Sequence, residues 1–112
     1  MTLEGWLKRA DELCSKGEYF EAHEELEAGW MKASGLEKTV LQGAVQVCAG
    51  LHRLRIRPEK TDGAFYLFER GMQKLSKGKD LLAEGVVERL EGELAGMRKA
   101  GKAPARFRLG LY

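Results

Sequence analysis

Apolar side chains recur at helical spacing through nearly the whole chain. Leu3, Trp6, Leu7, Ala10, Leu13 and Cys14 follow an i, i+3, i+4, i+7 pattern and predict an amphipathic helix, with Thr2 as its N-cap and Gly17 as its stop. A second helix is expected from about Glu18 to Ala33, ended by Gly35. The short link makes these two helices antiparallel neighbours. A third helix is expected from about Leu36 to Arg57, closed by Pro58. Val40, Leu41, Ala44, Val45, Val47, Cys48, Leu51 and Leu54 make it apolar nearly all round, which predicts a central position. Gly43, Ala44, Ala49 and Gly50 leave room on it for close neighbours, and Arg53, Arg55 and Arg57 complement the negative end of its dipole.

Thr61 or Asp62 can cap a fourth helix with the stripe Ala64, Leu67, Phe68, Gly71, Met72 and Leu75, followed by Gly78. Asp80 can cap a short turn at Leu81 and Leu82. A fifth helix carries Val86, Val87, Leu90, Leu94 and Met97 and ends before Gly101. From Lys102 to Tyr112 the period changes. Phe107, Leu109, Leu111 and Tyr112 alternate with Arg106, Arg108 and Gly110, which predicts an extended tail partly docked by its apolar side chains. The expected architecture is all-α: a compact bundle of about five helices with an extended C-terminal tail, one domain over residues 1–112.

Composition fits this picture. Apolar residues make up 44% and charged residues 32% of the 112 residues, a globular balance rather than a disordered one. No apolar run approaches the length of a membrane helix, so a membrane partner is not expected. The first residues, Met1 to Trp6, lack the basic and apolar regions of a signal peptide, and the default expectation is a cytoplasmic address. Asn is absent while Glu, Lys and Arg abound, a bias that suits a thermophile. Cys14 and Cys48 both lie on apolar stripes outside any Cys-x-x-Cys pair and read as buried free thiols. The formal net charge of +2 is too small to argue for nucleic acid, and a solvated helix end explains Arg53, Arg55, Arg57 and Lys60 more simply.

The segment Tyr19 to Met31 breaks the pattern. Phe20, His23, Glu24, Glu27, Trp30 and Met31 share an arc of about 120° on a helix. A stripe anchored by Phe20, Trp30 and Met31 should face the core and carry the three ionisable residues with it. Charged groups taken out of water cost several kcal/mol each unless paired, so this face is the best candidate site. His23 and Glu27, four apart, can touch, and Glu24 and Glu27 can share a proton or a ligand. Close carboxylates suit acid–base chemistry, so His23, Glu24 and Glu27 are the candidate catalytic residues. His23 and Glu27 are also a partial ligand set for a divalent metal. The spacing His-Glu-x-x-Glu matches neither the zincin His-Glu-x-x-His nor the Glu-x-x-His of di-iron bundles.

On the third helix, Gln42, Val45, Gln46, Ala49 and His52 share a second arc, with Gln46 and His52 at its opposite edges. Glutamines among Val and Ala can donate amide hydrogens to carboxylates, so this face is expected to meet the polar face of the second helix. Trp30 would wall the pocket. The structural alternative is a closed hydrogen-bonded network that fixes helix register. No glycine-rich phosphate loop or Gly-x-Ser-x-Gly elbow occurs, and no His stands near either cysteine.

The run Gly17-Glu18-Tyr19-Phe20-Glu21-Ala22-His23-Glu24-Glu25-Leu26-Glu27-Ala28-Gly29-Trp30, then Leu41-Gln42-Gly43-Ala44-Val45-Gln46 and Gly63-Ala64, resembles a small prokaryotic family, domain-of-unknown-function family 309. The resemblance covers roughly Leu13 to Leu75. It implies a compact all-helical protein and places the family's polar positions on Glu21, His23, Glu24, Glu27, Trp30, Gln42, Gln46 and His52. Where the family often carries Gly-Asn before Gly-Ala, this chain has Thr61-Asp62. The family implies no reaction.

Two function classes follow, and nucleic-acid binding through the Arg53 to Lys60 segment is a third that ranks lowest. One is a small protein with a His/Glu/Gln site that binds a metal or hydrolyses a small molecule. The other is a non-enzymatic helical adaptor or self-associating protein whose polar cluster is structural.

Overall fold

The computed structural model describes residues 1–112. Five α-helices and no strand make it an all-α bundle: α1 (Leu3–Ser15), α2 (Tyr19–Lys32), α3 (Gly35–Ile56), α4 (Asp62–Lys77) and α5 (Val86–Ala100), with a 3-10 turn at Lys79–Leu81. Thr2 caps α1 as expected, its hydroxyl accepting from Gly5 N–H at 3.1 Å. Gly17 (φ +79°) turns the chain sharply into α2, a conformation that L side chains rarely adopt. Gly35 starts α3 rather than closing α2, which already ends at Lys32. α4 begins where Thr61 and Asp62 predicted, but neither side chain makes a cap hydrogen bond. Asp80 lies inside the 3-10 turn instead of capping it.

The all-round apolar helix is indeed central: α3 packs along both α2 and α4. Its approach to α4 depends on missing side chains. A Cβ on Gly43 would lie 2.8 Å from Gly71 O, and one on Gly71 would lie 2.7 Å from Gly43 O. Gly50 makes similar room for the Phe68 ring, whereas Ala49 is only half-buried. All five helices and the tail contribute to one apolar core. Within it the thiols of Cys14 and Cys48 stand 3.6 Å apart, both free and buried. A hydrogen bond with Cys14, then burial, pushes the Cys48 thiol well up, so it stays protonated and unreactive.

The tail runs back across the bundle in extended form. Phe107, Leu109 and Leu111 are buried while Arg106 before them and Arg108 among them are exposed, the period-two pattern the sequence predicts. Burying three such side chains favours docking by roughly 1.5–3 kcal/mol each. Backbone bonds from Phe107 N–H to Cys14 O (3.1 Å) and from Ala83 N–H to Leu111 O (3.0 Å) hold the tail at both ends. Tyr19 adds a hydroxyl bond to Pro104 O at 2.8 Å.

Between these ties sits Asp11, 5% exposed. Its Oδ1 accepts from Leu109 N–H at 2.8 Å and Gly110 N–H at 3.4 Å, and its Oδ2 from the Tyr112 hydroxyl at 2.9 Å and Arg108 Nη2 at 3.3 Å. A buried carboxylate is tolerated because every side of it is answered. The bond to Asp11 is also the main reason the Tyr112 phenol is held above its usual range.

Candidate functional site

The face of α2 that meets the core is not the stripe through Phe20, Trp30 and Met31. It is Tyr19, Ala22, Leu26 and Gly29, all buried. The reason is steric. α1 lies so close that a Cβ on Gly29 would come within 2.6 Å of the Trp6 ring, and only small residues fit that contact. Tyr19 and Leu26 fill the rest of this inward face, and the side through Phe20, Glu27 and Met31 turns outward. Phe20 is 43% and Met31 70% exposed, and Glu24 and Glu27 are exposed too. His23 and Trp30, nearest the core face, are half-buried at its edge. The polar cluster is a surface strip, not an internal one.

Along that strip the side chains form separate contacts. His23 Nε2 stands 3.6 Å from Glu27 Oε2, the expected i, i+4 pair. The Phe20 ring lies 5.9 Å from the His23 imidazole and 5.2 Å from that of His52, so one aromatic ring joins both histidines. Lys38 Nζ sits 5.2 Å above the Trp30 ring, a cation–π contact across the α2–α3 seam. Gln42 is half-buried on the same outer side of α3. Glu24 joins none of the chain's ion pairs. Glu21 is exposed in the first turn of α2, where a carboxylate complements the helix dipole.

Gln46 departs from expectation. It does not face α2: its Oε1 accepts from Lys74 Nζ of α4 at 2.9 Å. One residue of α3 cannot serve both neighbours, and its position on the side of Gly43 and Gly50 turns it toward α4. Burial first, then the cations Arg70 and Lys77, hold the Lys74 ammonium below the usual lysine range. Gln46 and His52 thus lie on opposite flanks of α3, as their spacing predicts.

The state of His23 separates it from the rest. Its Nδ1 is buried, and it is the one buried side-chain nitrogen or oxygen without a hydrogen-bond partner. In either neutral tautomer one nitrogen goes unanswered, at a cost of about 1–3 kcal/mol. The metal expectation fits less well. His23 and Glu27 supply two donors, and no group of three or more His, Cys, Asp or Glu side chains gathers to complete a zinc-type set.

Sequence reasoning missed Asp11, although it stands four residues after Leu7 and three before Cys14, squarely on the buried face of α1. That register was the available signal.

The fold and its surface strip define a small, tail-strapped helical protein. No helix in it is long and apolar enough to cross a membrane. Residues 7–67 match the family model described as Domain of unknown function (DUF309), and the chain belongs to that family. No curated protein and no solved structure matches the chain.

Proposed function

We propose that the outer α2–α3 strip is a binding site for a small polar molecule, centred on His23. The observation that carries this reading is the unanswered Nδ1 of a half-buried imidazole whose other nitrogen faces Glu27. Unsatisfied polar groups are costly, and they gather at sites kept for function rather than stability. Phe20 offers an aromatic flank and Glu27 an acceptor beside it, and Trp30, Gln42 and Lys38 would extend the site along the strip. His23 and Glu27 are also the pair to which proton transfer would fall in a hydrolytic version of the site. Glu24, more exposed, would act only at its rim, and Glu21 and His52 would border it.

Ligand-observed NMR with a panel of small carboxylates, amides and amines tests the reading. Binders that are lost in His23→Ala support it. Absence of binders, or binders indifferent to His23→Ala, would overturn it. Hydrolysis of p-nitrophenyl acetate that depends on both His23 and Glu27 would extend it to catalysis.

A second reading is a non-enzymatic adaptor. The internal pairing of Gln46 with Lys74, Trp30 with Lys38 and Phe20 with His52 favours it, because these groups are partnered without any ligand. It predicts that replacing His23 costs stability and abolishes no small-molecule binding.

A further inference from the structure

The net charge of +2 conceals a strongly uneven distribution. One end of the bundle gathers the α1–α2 turn, the C-terminal ends of α3 and α5, the start of α4 and the beginning of the tail. Contacts tie these parts together. Arg55 of α3 donates to Gly17 O, and Ala105 of the tail lies against Gly17. The Arg53 guanidinium lies against Gly63 of α4, where a Cβ would come within 3.1 Å of its Cζ. Arg98 of α5 sits 5.4 Å above the Phe65 ring of α4.

This end exposes Arg53, Arg57, Lys60, Arg98, Lys102 and Arg106. None of the six takes part in an ion pair: the five pairs of the chain all involve other residues. Glu59 and Asp62 line the same cleft as Arg53, Arg57 and Lys60 without neutralising them at ion-pair distance. Unpaired cations from four chain segments on one surface repel one another, and a polyanion relieves that repulsion. Four of the six are arginines, whose planar forks match phosphate. Tyr66, 59% exposed one turn into α4, adds a ring with the Arg70 guanidinium 6.0 Å over one face, which leaves the opposite face for a base to stack on.

We propose that this end of the bundle binds the phosphate backbone of single-stranded nucleic acid. The surface is separate from the His23 strip and does not depend on the reading of that strip. Cations placed for backbone contact give affinity without sequence preference and with strong salt dependence.

Fluorescence anisotropy with a labelled 20-nucleotide mixed-sequence DNA strand, and its RNA counterpart, tests the proposal. With about five phosphate contacts, binding should weaken by about a hundredfold between 50 and 200 mM salt. Arg53→Glu with Arg57→Glu, and separately Arg98→Glu with Lys102→Glu, should each weaken binding at least tenfold. Lys77→Glu with Lys79→Glu changes net charge equally on residues outside this surface and should leave binding within twofold. All these side chains are exposed, and circular dichroism checks that each variant remains folded. The proposal is overturned by no binding at 50 mM salt, or by equal losses in all three double variants. It is also overturned if the protein sediments with vesicles of phosphatidylserine and phosphatidylcholine but ignores the oligonucleotides.

Discussion

Asp11 and His23 are both ionisable side chains withdrawn from water on neighbouring helices, and they are treated in opposite ways. Asp11 is surrounded by donors from the tail, so its carboxylate is fully answered. His23 keeps a buried nitrogen with no partner. A satisfied buried charge acts as a clamp: it positions the strand that answers it, and removing it leaves donors stranded. A buried nitrogen without a partner gives the fold nothing for its desolvation. The contrast places Asp11 in the architecture and supports the proposal that His23 serves a site, although only His23 looked unusual in the sequence.

Substitutions sharpen that contrast in order of expected effect. Asp11→Ala leaves two backbone amides and the Tyr112 hydroxyl without their acceptor and should lower unfolding free energy by about 3–5 kcal/mol. Urea denaturation measures it, and amide exchange should show the tail opening with it. A loss under 1 kcal/mol would mean that the tail is held by its apolar side chains alone. Leu109→Ala removes one of those side chains from a fully buried site and should cost about 2–4 kcal/mol by the same assay.

Tyrosine ionisation gives a smaller, pH-gated effect. Burial foremost, aided by Cys14 and opposed by the Arg55 cation, pushes the Tyr19 phenol up to about 12. A raised phenol means that the unfolded chain loses its proton first. Its contribution is therefore intact below the ordinary tyrosine value near 10 and fades as pH rises toward about 12. Urea midpoints taken across that window should fall, and the fall should be shallower in Tyr19→Phe. At neutral pH the same variant loses only the bond to Pro104, about 1 kcal/mol. Glu27→Gln should move stability least, by under about 0.5 kcal/mol, because its pair with His23 is half-exposed and long.

Most of the architecture could be read from periodicity. The five helices and the switch from a helical to a two-residue period at the tail follow the spacing of apolar residues, because burial is what selects those spacings. The orientation of α2 could not be read that way. Phe20, Trp30 and Met31 outrank Ala22 and Gly29 in hydrophobicity. Yet the close approach of Trp6 demands small residues, and closeness belongs to the neighbouring helix rather than to α2 itself. Asp11 was hidden for a related reason. Its register between Leu7 and Cys14 marks it as buried, but the donors that make a buried carboxylate tolerable lie nearly a hundred residues away in the tail. Gln46 was assigned to the wrong neighbour because both flanks of a central helix are equally available in one dimension. The pairing of His23 with Glu27 was local, and it was found.

The most direct test is the urea unfolding free energy of His23→Ala set beside the parent protein. The imidazole's unanswered nitrogen disappears along with its packing on Phe20, and the two roughly offset. The account predicts stability within about 0.5 kcal/mol of the parent or above it. A loss of about 2 kcal/mol or more would contradict it and would make His23, like Asp11, a part of the scaffold.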